Sequence, residues 1–382
     1  MRKRTFIFYF FIFLSQSIYC LAQDSLSFKG QLSAWMLYND SKSNKLPAYI
    51  GGRYIPQLNY IFQFKNDHKI DFEASANLNG SAGFNPFDSV SSAGQLKPYR
   101  LWVRYSSRQF ELRVGLQKIN FGSASILRPL MWFDQVDPRD PLKFTDGVWG
   151  ALGRYYFLNN ANIWVWCLYG NSKPKGWEIT GTNTDYPEIG GRIQLPVPAG
   201  EAAISYHHRV EDTKNLPGIA PQLVGVREDR IGFDFKLDLV AGFWFEGSWT
   251  TRNKDLGMYT NQEIMNVGLD YTFGIGNGLY VVYEQLIAAS DEEAFKFTNT
   301  SSFSLSSLSY PVGLSDKISG IVYYDWKNRN VYNFVNWQRE FKNITLYLIG
   351  YWNPEDYKIP TQGTGPNLFA GKGVQVMLVL NH

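Results

Sequence analysis

The stretch Ile70–Gly80, IDFEASANLNG, alternates apolar and polar residues along its length. The apolar positions are Ile70, Phe72, Ala74, Ala76 and Leu78, and the polar positions are Asp71, Glu73, Ser75, Asn77 and Asn79. Successive side chains of a β-strand point to opposite faces of the sheet, so a strand here has one apolar and one polar face. A soluble β-sandwich would bury the apolar face, whereas a membrane β-barrel would turn it to lipid and leave the polar face in a water-filled lumen.

The same two-residue period recurs in about eighteen segments between Leu26 and Asn381, and long helical periodicity is absent. After residue 22 no apolar run reaches the ~18 residues of a transmembrane helix. One segment, 302–312, changes parity near Ser306-Ser307, which predicts a β-bulge. The chain is therefore predicted to be all-β.

The lengths of the connections favour a barrel over a sandwich. Short links such as Gly276-Asn277 follow the even-numbered segments, and long polar links such as 80–97 and 119–147 follow the odd-numbered ones, with one exception at 327–330. Outer-membrane barrels have short turns at one end and long loops at the other, whereas Greek-key sandwiches do not separate loop lengths in this way. We expect a transmembrane antiparallel up-and-down β-barrel of about 18 strands (16–18), closed because lipid cannot satisfy a free sheet edge.

The N-terminus predicts export. Arg2, Lys3 and Arg4 precede an apolar run and the small-residue pattern Cys20-Leu21-Ala22, which is typical of a secretory signal peptide cleaved near residue 22. These residues carry three basic and no acidic side chains, so the formal net charge of +3 falls to zero without them. The composition therefore gives no reason to expect a nucleic-acid partner. We expect 1–22 to be removed and 23–382 to form a single outer-membrane barrel domain of a Gram-negative cell.

One segment resembles a known family. Residues 115–157 contain a strand end, a Pro-Leu-x-x-Phe-Asp loop and a Gly-Val strand start, a pattern similar to that of alginate-export-type and related porin barrels. The matching residues are Gly115, Gln117, Ile119, Phe121, Gly122, Pro129, Leu130, Phe133, Asp134, Gly147 and Val148. The resemblance implies a barrel of around eighteen strands whose loop 119–147 folds inward and narrows the pore.

The residues of this loop support the same expectation, because charged side chains surround an apolar centre at residues 130–133. Rings of charge at a narrow place set the selectivity of pores. The predicted constriction residues are Arg128, Asp134, Asp137, Arg139, Asp140 and Lys143. An outer loop that caps neighbouring strands, without a role in permeation, is the alternative.

The polar faces of the predicted strands carry both signs of charge. The predicted lumen residues are Asp71, Glu73, Arg100, Arg104, Glu111, Arg113, Arg230, Asp234 and Asp270. A channel for a polyanion such as alginate should be lined mostly by arginine and lysine, so this mixture favours small polar solutes instead.

The sequence gives no indication of catalysis. His207 and His208 are adjacent and would point to opposite faces of a strand, and neither a Gly-x-Ser-x-Gly nor a His-Glu-x-x-His motif occurs. We expect no enzyme, no catalytic residue, no metal and no cofactor. The predicted function is a porin-like channel in the cell outer membrane for passive diffusion of small polar solutes. The alternative is a non-conducting barrel that is a structural or accessory subunit of an outer-membrane assembly. The expected partners are outer-membrane lipid, the solute, and either other outer-membrane proteins or further copies of the chain.

Overall fold

Eighteen β-strands make up most of the computed structural model, which describes residues 25–42, 46–64, 66–85, 90–213, 225–355 and 368–382. The strands are β1 Ser25–Asp40, β2 Ala48–Gln63, β3 Lys69–Phe84, β4 Val90–Ser106, β5 Phe110–Gln117, β6 Val148–Tyr156, β7 Asn162–Leu168, β8 Glu188–Val197, β9 Gly200–Glu211, β10 Val226–Asp238, β11 Gly242–Arg252, β12 Asn261–Phe273, β13 Leu279–Asp291, β14 Thr300–Pro311, β15 Asp316–Asp325, β16 Asn330–Glu340, β17 Ile344–Trp352 and β18 Lys372–Asn381. A single 3-10 turn, Gly257–Tyr259, is the helical part of these ranges. No helix among the described residues has the length and apolar character needed to cross a membrane. The predicted signal peptide, 1–22, lies outside the described residues.

The sheet closes on itself. Each strand pairs antiparallel with its neighbours in the chain, and β1 also pairs with β18 from Gln31–Asn381 to Asp40–Lys372. Beyond this seam Gly30 and His382 exchange backbone hydrogen bonds of 2.9 and 3.0 Å. A closed ring gives every strand a partner on both sides, as a hydrocarbon environment requires. The predicted antiparallel up-and-down barrel of eighteen strands is confirmed.

The two faces of this sheet are exposed in the opposite sense to those of a soluble protein. On the outer face Leu78 is 40 % exposed and Phe233 is 45 % exposed, whereas on the inner face Asp71 is 6 % and Asp234 is 1 % exposed. In water, large apolar side chains gather in a core and charged ones stay outside. An exposed apolar outer wall around a charged inner wall is the pattern of a barrel that lies in lipid.

The predicted long loop 80–97 is wrong, because most of it is strand. β3 continues to Phe84, and β4 starts at Val90 directly opposite it. The paired extensions carry small and polar residues, such as Ser81 opposite Ala93. Residues of this kind do not alternate in hydropathy, so the backbone ladder continues without a sequence signal.

The predicted bulge at Ser306-Ser307 is also wrong. The pairing of β14 with β13 and with β15 runs through these residues without a shift. The parity of the apolar residues changes because Phe303 and Leu305 point inward and are buried, whereas Leu308 points outward and is 49 % exposed. The irregularity lies instead between β3 and β4, where the register shifts between Ser75 and Ala76.

Candidate functional site

Six of the predicted lumen residues form one charged cluster on the inner face of β3, β4 and β5. Arg104 pairs with Asp71 and lies 3.5 Å from Glu111, which also accepts from Arg113 at 3.1 Å. Arg100 donates at 3.0 Å to the Thr145 carbonyl of the loop between β5 and β6, and Glu73 faces the interior beside it. The other four residues of the cluster are two acids and two arginines that pair with one another, which leaves little net charge on this wall.

Aromatic side chains support the same wall. The guanidinium of Arg113 lies 4.8 Å from the ring centroid of Trp102, and Arg154 of β6 lies 3.8 Å from that of Trp164. Cations attract the faces of aromatic rings. Both indole rings therefore make cation–π contacts with arginines of the wall.

Arg230 belongs to a second, deeply buried ionic network on the inner face of β9, β10 and β11. Three arginines and three glutamates take part: Arg209, Arg230, Arg252, Glu178, Glu211 and Glu228. Arg209 is central, with its side chain 0 % exposed and carboxylate oxygens of Glu178, Glu211 and Glu228 at 3.2, 3.0 and 2.6 Å. The network is formally neutral, as buried charge generally must be.

The two remaining predicted lumen residues have local partners. Asp234 of β10 accepts two hydrogen bonds from Arg192 of β8, at 2.6 and 2.9 Å, and is 1 % exposed. Asp270 of β12 accepts from the Tyr280 hydroxyl at 2.9 Å. Asp234 is thereby neutralised within the wall.

The long loop, residues 118–147, contacts the inner wall of the barrel at β7, β10 and β11. Near its start Phe121 stacks on Trp166 of β7 with 5.7 Å between ring centroids. Ser123 then donates to Asp234 of β10 at 2.9 Å, and Trp132 donates to Ser248 of β11 at 2.9 Å. The loop therefore passes through the interior before it returns to β6.

Apolar packing keeps the long loop in this path through the interior. Ile119, Phe121, Leu130, Trp132 and Phe133 of the long loop form one buried cluster with side chains of β6 and β7. Ile126 and Leu127 pack against a second cluster on the far wall, which includes the inward-facing Leu305. The inward Leu305 that disturbed the sequence pattern of β14 thus belongs to a cluster against which the loop packs.

A second loop, residues 169–187 between β7 and β8, lies against the long loop, a contact that the sequence did not indicate. Trp177 donates to the Arg128 carbonyl at 2.8 Å, and Glu178 joins the buried network through Arg209 and Arg230. Gly176 has φ +50°, and a Cβ there would lie 1.5 Å from the Met131 carbonyl oxygen. The signal available in the sequence for this inward contact was Trp177 beside Gly176 within an otherwise polar stretch.

The six predicted constriction residues fall into two groups. Arg128 and Asp134 pair with each other at 2.8 Å, and their side chains are 9 % and 1 % exposed. They hold the shape of the loop from inside. Asp137, Arg139, Asp140 and Lys143 lie on its returning part, where Arg139 pairs with Asp137 at 2.6 Å. Lys143 has a left-handed backbone, with φ 47°.

A chamber of about 250 Å³ lies between this returning part and the wall of β1, β2, β3 and β18. Trp35, Arg53, Asn79, Arg139, Asp140 and Phe369 are among its lining residues. Arg53 lies 4.0 Å from the ring centroid of Phe144. Burial raises the pKa of Asp140, which also accepts a hydrogen bond from the Leu142 amide at 2.9 Å.

The adjacent histidines of β9, His207 and His208, point to opposite faces of the sheet. His207 faces the interior, is 0 % exposed, and accepts from Trp166 at 3.1 Å, whereas His208 on the outer face contacts Asp229 at 2.8 Å. Within the described ranges no group of three or more His, Cys, Asp or Glu side chains is placed to hold a metal ion.

Comparison with known proteins supports the fold. No protein-family model matches the chain, and no curated protein matches it in sequence. The structure is similar to the crystal structures of OccAB1 and OccAB4 of Acinetobacter baumannii, with TM-scores of 0.56 and 0.57 at 9 % and 11 % identity. Each alignment covers 94 % of this chain, and 95 % and 98 % of the other. OccK5 (OpdH) of Pseudomonas aeruginosa gives 0.53 at 11 % identity, over 94 % of this chain and 97 % of that one. The resemblance to alginate-export proteins stays a prediction.

Proposed function

We propose that this protein is a porin-like channel of the outer membrane through which small polar solutes diffuse passively. The observation that carries the proposal is a closed ring of eighteen strands with an exposed apolar outer face and a charged inner face. Such a ring needs lipid outside and polar surroundings inside. The Occ proteins of Acinetobacter baumannii share this fold.

The long loop is the selectivity element of this channel. It reaches both sides of the interior, so solutes pass beside it, through the chamber lined by Arg53, Arg139 and Asp140. Charge at a narrow place decides which ions pass. Acids and arginines of the wall are largely paired, as for Asp71 with Arg104, so the filter discriminates weakly by sign of charge.

The cellular setting follows from the same proposal. Residues 1–22 direct export and are removed, and 23–382 form one barrel domain. We expect the chain to work without a cofactor and without enzymatic activity. Its partners are outer-membrane lipid and the solute, together with either other outer-membrane proteins or further copies of the chain.

Single-channel recording in a planar bilayer tests the channel. Purified folded protein should give steady unitary steps, and a salt gradient should give a small reversal potential because most acids and arginines of the wall are paired. Absence of steps from protein that migrates as a folded, heat-modifiable barrel on a denaturing gel would refute the channel.

The second candidate, a non-conducting barrel that supports an outer-membrane assembly, is favoured by one observation. The long loop and the loop 169–187 together bury large side chains within the interior, among them Trp132 at 2 % and Trp166 at 1 % exposure. A filled interior conducts poorly. A silent folded barrel that co-purifies with another outer-membrane protein would support this candidate.

A further inference from the structure

Two buried glutamates of the inner wall bind the backbone of the long loop. Glu246 of β11 and Glu284 of β13 are both 0 % exposed. The arginines of this region are engaged elsewhere, Arg128 with Asp134 at 2.8 Å and Arg192 with Asp234 at 2.6 Å. The two carboxylates therefore depend on other donors.

Those donors are backbone N–H groups of the loop. Glu246 accepts from Ala124 at 2.7 Å and from Leu130 at 2.5 Å. Glu284 accepts from three consecutive residues, 125, 126 and 127, with shortest distances of 2.8, 3.1 and 2.6 Å. Hydrogen bonds to an ionised acceptor are roughly twice as strong as neutral ones. Five loop amides thus converge on two side chains.

A glycine makes this approach possible. Gly122 has φ +107°, and a Cβ at that position would lie 2.4 Å from the carboxylate oxygen Oε2 of Glu246. The sequence in this part of the loop is therefore fitted to the carboxylate. Asn266 of β12 adds a further bond from the wall, from its amide nitrogen to the Leu127 carbonyl at 2.5 Å.

The position of the two glutamates in the ring decides what the contact does. The loop leaves β5, and β13 lies eight strands farther along the ring of eighteen. This is close to half the circumference, so the contact draws the loop to the opposite wall.

We infer that Glu246 and Glu284 are positioning residues that hold residues 122–130 across the lumen and thereby set the width of the passage. This inference rests on the proposed channel function and assigns its control to two residues of the far wall.

A Glu→Gln change at either site is not conservative in this environment. Glutamine keeps one acceptor oxygen, but its NH2 group is a donor and would face the backbone N–H groups that the second carboxylate oxygen now accepts. Loss of charged hydrogen bonds at a buried site should shift the loop equilibrium toward release by about tenfold or more for each variant.

The test compares Glu246→Gln, Glu284→Gln and the double variant with the native protein in single-channel recording. We expect larger unitary steps or frequent transitions to a wider state, with the largest effect in the double variant. Glu340→Gln is the matched control, because Glu340 is exposed at the end of β16 and accepts a hydrogen bond from Gln338 of the same strand at 2.6 Å. It should conduct as the native protein does.

Thiol labelling reports the position of the loop independently of conductance. Ile126→Cys is made in a Cys167→Ser background and treated with a water-soluble maleimide. We expect at least about a tenfold increase in labelling rate when the Glu→Gln changes are added. A heat-modifiable band verifies the barrel, and if the double variant does not fold, Glu284→Asp, which keeps the charge but shortens the reach, takes its place.

The outcomes separate the two ideas. If the native protein conducts and the variants match it in steps and labelling, the positioning role is refuted and the channel stands. If the native barrel is silent but the variants conduct, the positioning role is supported and the channel proposed for the native protein is refuted. If no protein conducts and labelling is unchanged, both ideas fail.

Discussion

Replacement of Arg209 by methionine is the most informative test of the buried ionic network. Methionine has a similar length, so the change removes charge and donors with little loss of volume. Arg209 is 0 % exposed and has carboxylate oxygens of Glu178, Glu211 and Glu228 within 3.2 Å. Its Nη1 also donates to the Thr180 carbonyl at 3.0 Å. The variant would leave three buried carboxylates with two arginines.

The expected loss follows from that imbalance. Removal of one partner from a buried ion pair costs about 3–5 kcal/mol, because the remaining charge is uncompensated. With a urea dependence of about 3 kcal/mol per molar for a chain of this size, the unfolding midpoint should fall by about 1–2 M. The loop 169–187 should loosen at the same time, since Glu178 reaches the wall through Arg209 and Arg230.

The assay is the fraction of folded, fast-migrating barrel on an unboiled denaturing gel after equilibration in urea. Arg108→Met is the matched control, because Arg108 pairs with Asp67 at 79 % and 62 % side-chain exposure, and such pairs contribute about 0–1 kcal/mol. Adding Glu228→Gln to Arg209→Met restores neutrality and should recover part of the loss. Equal midpoints for Arg209→Met and Arg108→Met would refute the reasoning.

Three further tests concern the packing of the barrel, its outer face and one buried carboxyl group. Gly268→Ala should destabilise by about 1–3 kcal/mol, because the new Cβ would lie 2.2 Å from the Trp244 ring, whereas Gly350→Ala meets nothing within 4 Å and should be neutral in the same urea assay. Cys167, the free cysteine of the described ranges, is exposed on the outer face. In protein that lacks residues 1–22, a lipid-soluble maleimide should label Cys167 in vesicles and a charged thiol reagent should not. The reverse result would mean that the face assigned to lipid faces water. Burial raises the pKa of Asp140 above 3.8, so the folded state favours the protonated carboxyl group. The stability that this shift contributes is present in acid and is lost as pH rises through the raised pKa. Asp140→Asn should therefore raise the thermal midpoint at neutral pH, with a difference that vanishes in acid; a lower midpoint at pH 7 would contradict this.

The strand pattern could be predicted from sequence because it is local. In Ile70–Gly80 every apolar residue and its polar neighbour are assigned to opposite faces by the period of two alone. The same argument failed at Phe303 and Leu305, which are apolar and yet point inward. Their partners belong to a loop that is distant in sequence, and a local period contains no information about such a contact.

The candidate site could be predicted only in outline. The sequence indicated the long loop and many of the inward charges, but it did not indicate that Arg128 and Asp134 pair within the loop, or that the loop 169–187 joins it. Glu246 and Glu284 look like any other lumen acids in the sequence. Their importance comes from the amides that they receive from across the barrel.

The sequence by itself determined the period, the two-faced strands and the alternation of short and long connections, and these suffice for a closed barrel in lipid. The tertiary structure alone decided which inward side chains meet, because closure brings β5 and β13 to opposite walls and lets one loop touch both. Alternation is a property of neighbours along the chain, whereas the contents of the lumen depend on distances across the ring.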